Sequence, residues 1–178
     1  MDMVLMEQTT ISNKNDKYII RKAMLNDAAG VVAVFNYYVE NGFAALTEEK
    51  MDEDFFGLLR AVTRGPSFYV AAADDGRIVG FGLLKVFNPD AVFDRTGEVA
   101  YFVLPDHTGN GLGFRLLEVL KQDALAYGED TLLARISSLN PPSIRFHERS
   151  GFVECGRFRN AGKKKGRNFD LIWMQRFI

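Results

Sequence analysis

The residue types able to do chemistry in this chain fall in two stretches. The first runs from Tyr101 through Pro105 to Leu117 and reads as an apolar strand, a tight glycine turn and an amphipathic helix. Within it, Gly109, Asn110, Gly111, Leu112 and Gly113 can bring backbone N–H groups at a helix N-terminus up to a phosphate, with no Cβ in the way. The helix dipole and the hydroxyl of the preceding Thr108 add to such a cradle. The second stretch runs from Asn140 to Phe152. There Asn140 is suited to cap a helix and Pro141 to occupy its first position. It carries His147, an imidazole whose ordinary pKa near ~6.5 fits it to take or to give a proton.

The glycine turn fits neither of two familiar nucleotide sites. A dinucleotide fingerprint needs a third glycine, and Phe114 and Leu116 stand where it would fall. A P-loop needs Gly-Lys-Ser/Thr, which does not follow. A plain strand-to-helix turn and a pyrophosphate cradle both remain open on the residues alone.

The composition narrows the function classes. The chain has 178 residues, a formal net charge of -1 and 47% apolar residues, as expected of one globular domain with a substantial core. That charge balance gives no support for nucleic-acid binding. Cys155 is the single cysteine, and His107 and His147 are the two histidines, so no cysteine- or imidazole-based metal site is expected. No apolar run of about 18 residues suggests a membrane span. The N-terminus carries Asp2 and Glu7 rather than the basic start of a secretory signal, so a cytoplasmic location is the expectation.

The elements that must position these groups follow from periodicity. Residues 1–17 read as a flexible extension and 18–178 as one domain. Tyr18 to Lys22 predicts a strand. Asn26-Asp27 cap a helix with Ala28, Val31, Val32, Phe35, Tyr38 and Val39 on one face. A second helix starts near Asp52, buries Phe55, Phe56, Leu59 and Val62, and ends at Gly65-Pro66. Phe68–Ala73 and Ile78–Phe87 flank the turn Asp74-Asp75-Gly76-Arg77 as a hairpin. Glu98–Leu104 is a strand, and the helix after the glycine turn reaches Tyr127 with Leu112, Leu116, Leu117, Leu120 and Leu125 inside. Thr131–Ile136, Phe152–Arg157 and Phe169–Arg176 are further strands, with a short helix over Pro141–Ser150. The predicted order is β-α-α-β-β-β-α-β-α-β-β, a mixed α/β domain.

Together the two motifs resemble those of the GNAT superfamily of acyl-CoA-dependent N-acyltransferases. Its pattern Q/R-x-x-G-x-G/A is matched at Gly111 and Gly113 and departs at Thr108. Its asparagine, its Tyr or His seven residues later and its Gly-Phe are matched by Asn140, His147 and Gly151-Phe152. Histidine at that site, Phe93-Asp94-Arg95-Thr96-Gly97-Glu98, the tail Ala161-Gly162-Lys163-Lys164-Lys165-Gly166, Asp170 and Gln175 are similar to the phosphinothricin acetyltransferase branch.

The resemblance implies a largely antiparallel central sheet flanked by helices, acetyl-CoA as co-substrate, no metal and a homodimer. It casts Glu98 as general base and His147 as proton carrier. It places a backbone donor to the acetyl carbonyl near Val103, and cofactor contacts at Thr108, Gly109, Asn110, Gly111, Leu112, Gly113, Asn140 and Ser143. The acceptor it implies is the primary amine of a small amino-acid-like molecule. Alternatives are a protein N-terminus, a lysine or a polyamine, or a non-catalytic acyl-CoA sensor. The branch carries a Phe-Arg pair where this chain has Leu46-Thr47. A substitute cation for an acceptor carboxylate is then sought at Arg95 or in the Lys163-Lys164-Lys165 and Arg167 loop, although the lysine run reads first as a solvated turn. Phe43, Phe87, Phe93 and Phe158 are candidates for a pocket wall.

Overall fold

The computed structural model describes residues 17–178, so the expected N-terminal extension, apart from Lys17, lies outside the described residues. Five short or medium strands precede the closing hairpin. They are β1 (Tyr18–Lys22), β2 (Thr63–Ala73), β3 (Ile78–Val86), β4 (Thr96–Val103) and β5 (Thr131–Ser137). The hairpin is β6 (Val153–Lys164) and β7 (Arg167–Phe177). The helices are α1 (Ala28–Asn41), α2 (Asp54–Val62), α3 (Leu112–Ala126) and α4 (Pro141–Arg149). The strands form one sheet in the order β1-β2-β3-β4-β5-β7-β6, antiparallel except between β4 and β5.

Each face of the sheet buries its own apolar layer. Leu112, Leu116, Leu117, Val119, Leu120 and Ala124 of α3 pack on one face, joined by Ile144 and Phe146 of α4. Val31 and Val34 of α1, with Phe56 of α2, pack on the other against Phe68, Val70, Phe81 and Leu83. Because side chains alternate along a strand, β4 sends Val99, Tyr101 and Val103 to the α3/α4 face and Ala100 and Phe102 to the α1/α2 face.

The parallel pairing of β4 and β5 is short. It covers Thr96↔Thr131, Gly97↔Leu132 and Glu98↔Leu133. Beyond Glu98 the two strands run on to Val103 and Ser137 without pairing, so a cleft opens in the middle of the sheet.

Several sequence expectations need correction. Leu125 is 50% exposed, and Val119 and Ala124 take its place on the inner face of α3. Val62 is exposed, and β2 begins directly after it, running through Gly65-Pro66 across a register shift between Thr63 and Phe68. Pro66, which has no N–H to give, is tolerated at that irregularity. Asp27 stands at the start of α1, but its carboxylate accepts from both Arg21 Nη atoms and from the Met24 N–H rather than capping α1. The last hairpin is longer than expected, and it takes in the lysine run.

Candidate active site

The glycine turn is built as its residues require. Gly109 and Gly111 hold φ of 79° and 74°, the left-handed region that L side chains rarely enter, with Gly111 at the N-cap of α3. Gly113 serves a different end: a Cβ there would lie 3.3 Å from the Phe146 ring, so its absence lets α3 close against α4. The Leu112 side chain is buried in the core, which leaves only its backbone for a ligand. Thr108 Oγ1 donates to the Pro105 carbonyl, and Asn110 Nδ2 donates to the His107 and Thr108 carbonyls. The loop side chains thus brace the turn, and the N–H groups at the start of α3 are what it has to offer an anion.

Val103 lies at the cleft. The N–H of Leu104 bonds the Val79 carbonyl across the β3–β4 ladder at 2.8 Å. Neighbouring residues of an antiparallel strand alternate, so the Val103 N–H and C=O point away from β3, toward the gap left by β5. The Tyr38 hydroxyl donates to that carbonyl, as this orientation requires.

His147 is 4% exposed on α4. Its Nδ1 lies 2.8 Å from the Ser143 carbonyl, which can only accept, so Nδ1 carries the hydrogen. Nε2 is therefore the acceptor in its 2.6 Å bond with the Tyr101 hydroxyl. The two rings stack with centroids 5.3 Å apart. Burial pushes the His147 pKa below its ordinary value, only partly opposed by the Ser143 carbonyl, and burial drives the Tyr101 phenol well above its own. Both are neutral near pH 7. Asn140 caps α4 by accepting from the Ser143 N–H at 3.4 Å, and Ser143 Oγ lies 3.4 Å from His147 Nδ1.

Glu98 lies on the opposite face of the sheet from His147. Its Oε1 accepts from Lys85 Nζ at 2.5 Å and from Arg135 Nε at 2.8 Å. These three residues, with Phe87 and Trp173, line an open cavity of about 500 Å³. Desolvation lowers the Lys85 pKa, with Glu98 opposing it. A groove of similar size elsewhere, lined by Leu25, Phe56 and Arg60 among others, holds none of the candidate residues. The two candidate catalytic side chains therefore flank the β4–β5 cleft from its two sides, and the Val103 backbone lies between them in the sheet.

The domain model for the acetyltransferase (GNAT) family matches residues 31–152. The chain belongs to the GNAT family. It is 33% identical over 160 residues to the L-methionine sulfoximine/L-methionine sulfone acetyltransferase of Pseudomonas paraeruginosa, covering 88% of this chain and 92% of that one. Among solved GNAT structures, a phosphinothricin acetyltransferase from Sinorhizobium meliloti in complex with acetyl-CoA superposes with a TM-score of 0.83 at 26% identity, covering 92% of this chain and 89% of the other. The ribosomal-protein-alanine N-acetyltransferase of Brucella melitensis gives 0.79 at 31% identity, covering 89% and 99%. This chain is thus an acetyl-CoA-dependent acetyltransferase with the mixed, mostly antiparallel GNAT sheet.

Of the expected substitute cations, Arg95, Lys164 and Lys165 are already engaged by hydrogen bonds. Arg95 is held by Asp130 through two hydrogen bonds. Lys164 is buried, not solvated, and its ammonium donates to the Tyr38 and Ala45 carbonyls at 3.0 and 2.8 Å. Lys165 donates to the Glu40 carbonyl, and the Arg167 guanidinium lies over the Phe43 ring. Of the expected pocket aromatics, Phe87 lines the cavity and packs edge-on against Trp173 and Phe93, whereas Phe158 is 59% exposed on β6. Sequence reasoning missed Tyr101, Lys85 and Arg135 as parts of the site.

Proposed function

We propose that this enzyme acetylates the primary amine of a small amino-acid-like molecule, with residues 18–178 acting as one domain. The observation that carries the reading is the cleft beyond Glu98, which has the Val103 backbone at its edge, the helix-terminal glycine turn at one end and a carboxylate-bearing cavity on one face. The names of the relatives support the acceptor class, since the first acts on methionine sulfoximine and sulfone. In this account the pyrophosphate of acetyl-CoA binds the turn from Thr108 to Gly113, Asn140 and Ser143 flank the cofactor, and the acetyl carbonyl accepts from the Val103 N–H.

Two protons must leave the ammonium, and the two flanking groups divide them. Glu98 takes the first, which frees the lone pair and passes to solvent. Attack on the thioester carbonyl forms a tetrahedral adduct whose nitrogen still carries a surplus proton. That proton moves to the Tyr101 oxygen while the Tyr101 hydrogen moves to His147 Nε2. As the C–S bond breaks, the same path runs backward and protonates the sulfur. Amide, CoA thiol and one released proton balance an ammonium and acetyl-CoA. The lowered His147 pKa suits this task, because the proton is held loosely and is returned readily.

The protein works as a homodimer in the cytoplasm. The sheet edge supports the first statement: β6 is an edge strand with Val153 64% and Phe158 59% exposed. Acetyl-CoA dependence supports the second, and no helix among the described residues is long and apolar enough to cross a membrane. The reading is tested by CoA thiol release with acetyl-CoA and methionine sulfoximine, other amino acids, a polyamine and a short peptide. Saturable turnover with the amino acids is expected, and turnover with the polyamine or peptide alone would replace the acceptor class.

A further inference from the structure

The cavity on the α1/α2 face is crossed by a row of charged and aromatic side chains drawn from four strands. Lys85 on β3 is the register partner of Glu98 on β4, and Glu98 is the partner of Leu133 on β5. Two residues further along β5, on the same face, stands Arg135, whose own partner is Trp173 on β7. The row carries two cations and one carboxylate, so it is net positive. A simple polyamine entering it meets a like charge; an acceptor that brings an anion does not.

Arg135 is the open member of the row. Its side chain is 39% exposed, against 16% for Lys85 and 10% for Glu98. Of its five N–H donors only that of Nε is committed, to Glu98 Oε1 at 2.8 Å. Among the described residues its Nη1 and Nη2 donors make no hydrogen bond, while Cζ lies 5.4 Å from the Trp173 ring centroid, beside the indole in the cavity wall. A carboxylate and a guanidinium side by side form a dipole. The ammonium and carboxylate of a free α-amino acid, bonded to the same carbon, form the opposite one.

We propose that Arg135 anchors the α-carboxylate of a free amino-acid acceptor through its Nη donors, with the acceptor ammonium at Glu98 and its side chain against Trp173 and Phe87. The proposal rests on the amino-acid reading above and sharpens it: Arg135 does the work for which the sequence offered Arg95 or the lysine run. A peptide N-terminus has an amide where this site needs a carboxylate, and so gains nothing from Arg135.

The test compares methionine sulfone with the amine obtained by removing its carboxylate, as kcat/KM ratios in the parent, Arg135→Gln and Arg135→Lys enzymes. The parent should favour the amino acid. In Arg135→Gln that preference should collapse by on the order of 10- to 100-fold, mainly through the acceptor KM, because a bidentate charge-assisted pair is lost. Arg135→Lys, which keeps the charge but not the fork, should restore only part of it. An unchanged ratio in Arg135→Gln, whatever the absolute rates, overturns the anchor, as does a parent that turns over both acceptors equally. A parent that binds acetyl-CoA but turns over neither these two nor any other amino acid overturns the amino-acid reading itself.

Discussion

The Tyr101 hydroxyl lies 2.6 Å from His147 Nε2, joining a strand residue to a helix residue across the base of the cleft. His147 is almost fully buried, whereas Tyr101 is only partly so; Tyr101 is therefore the face that this pair presents to a ligand. Since they carry one proton between them, removing either should cost the same step. Tyr101→Phe and His147→Gln should each lower kcat by roughly 10- to 1000-fold, and the double variant should lose little more than the worse single. Multiplying losses would show two independent roles. Steady-state kinetics on the three proteins decide it.

The pH profile carries the sign of the His147 shift. The proposed relay needs Nε2 unprotonated, and burial lowers the pKa, so the imidazole stays neutral until the pH falls below its ordinary value near ~6.5. Activity should therefore rise through an apparent pKa below that value and be flat with respect to His147 above it. In His147→Gln this acid limb should vanish from the residual rate. A limb that persists unchanged belongs to another group.

At the glycine turn, Gly111→Ala puts a Cβ on a residue at φ 74°, with open space around it but strained backbone. The cost to stability should be about 1–2 kcal/mol. Relief of that strain would turn the N–H groups of the cradle, so the KM for acetyl-CoA should rise as well. Thermal melts and acetyl-CoA titration of the variant read both effects.

Glu129 offers a stability switch away from the chemistry. It is 1% exposed, its Oε2 has no hydrogen-bond partner among the described residues, and desolvation outweighs Arg64 to raise its pKa from 4.5 to about 7. The folded state then holds a proton that the unfolded chain has already released, so this residue's contribution to stability is lost as pH rises from 4.5 through about 7. Glu129→Gln should be more stable than the parent above pH 7, by on the order of 1–3 kcal/mol, with the gap closing toward pH 4.5. Melting temperatures across that range check it.

Much of this architecture was legible because local signals agreed with the fold. The Asn140-Pro141 cap, the Asp75-Gly76 turn and the glycines before α3 each mark a boundary that the structure keeps. Leu125 misled because it is apolar but sits off the face that Leu116, Leu117 and Leu120 define. Lys164 misled for the opposite reason: a lysine in a charged run is ordinarily solvated, yet two backbone carbonyls from the α1 region satisfy this one inside. Glu98 and His147 could be found from motifs, but their partners could not. Lys85, Arg135 and Tyr101 reach them through strand register and helix packing across gaps of 13, 37 and 46 residues. Nor could periodicity tell that Glu98 and His147 lie on opposite faces of the sheet, the placement on which the proposed division of the proton work rests.

The most direct test of the account is a single assay: CoA thiol release from acetyl-CoA with L-methionine sulfoximine as acceptor, with the product analysed by mass spectrometry. Saturable release, matched mole for mole by sulfoximine carrying one acetyl group on its α-nitrogen, is the predicted result. Acetyl-CoA binding without acetylation of this or any other amino acid would contradict it.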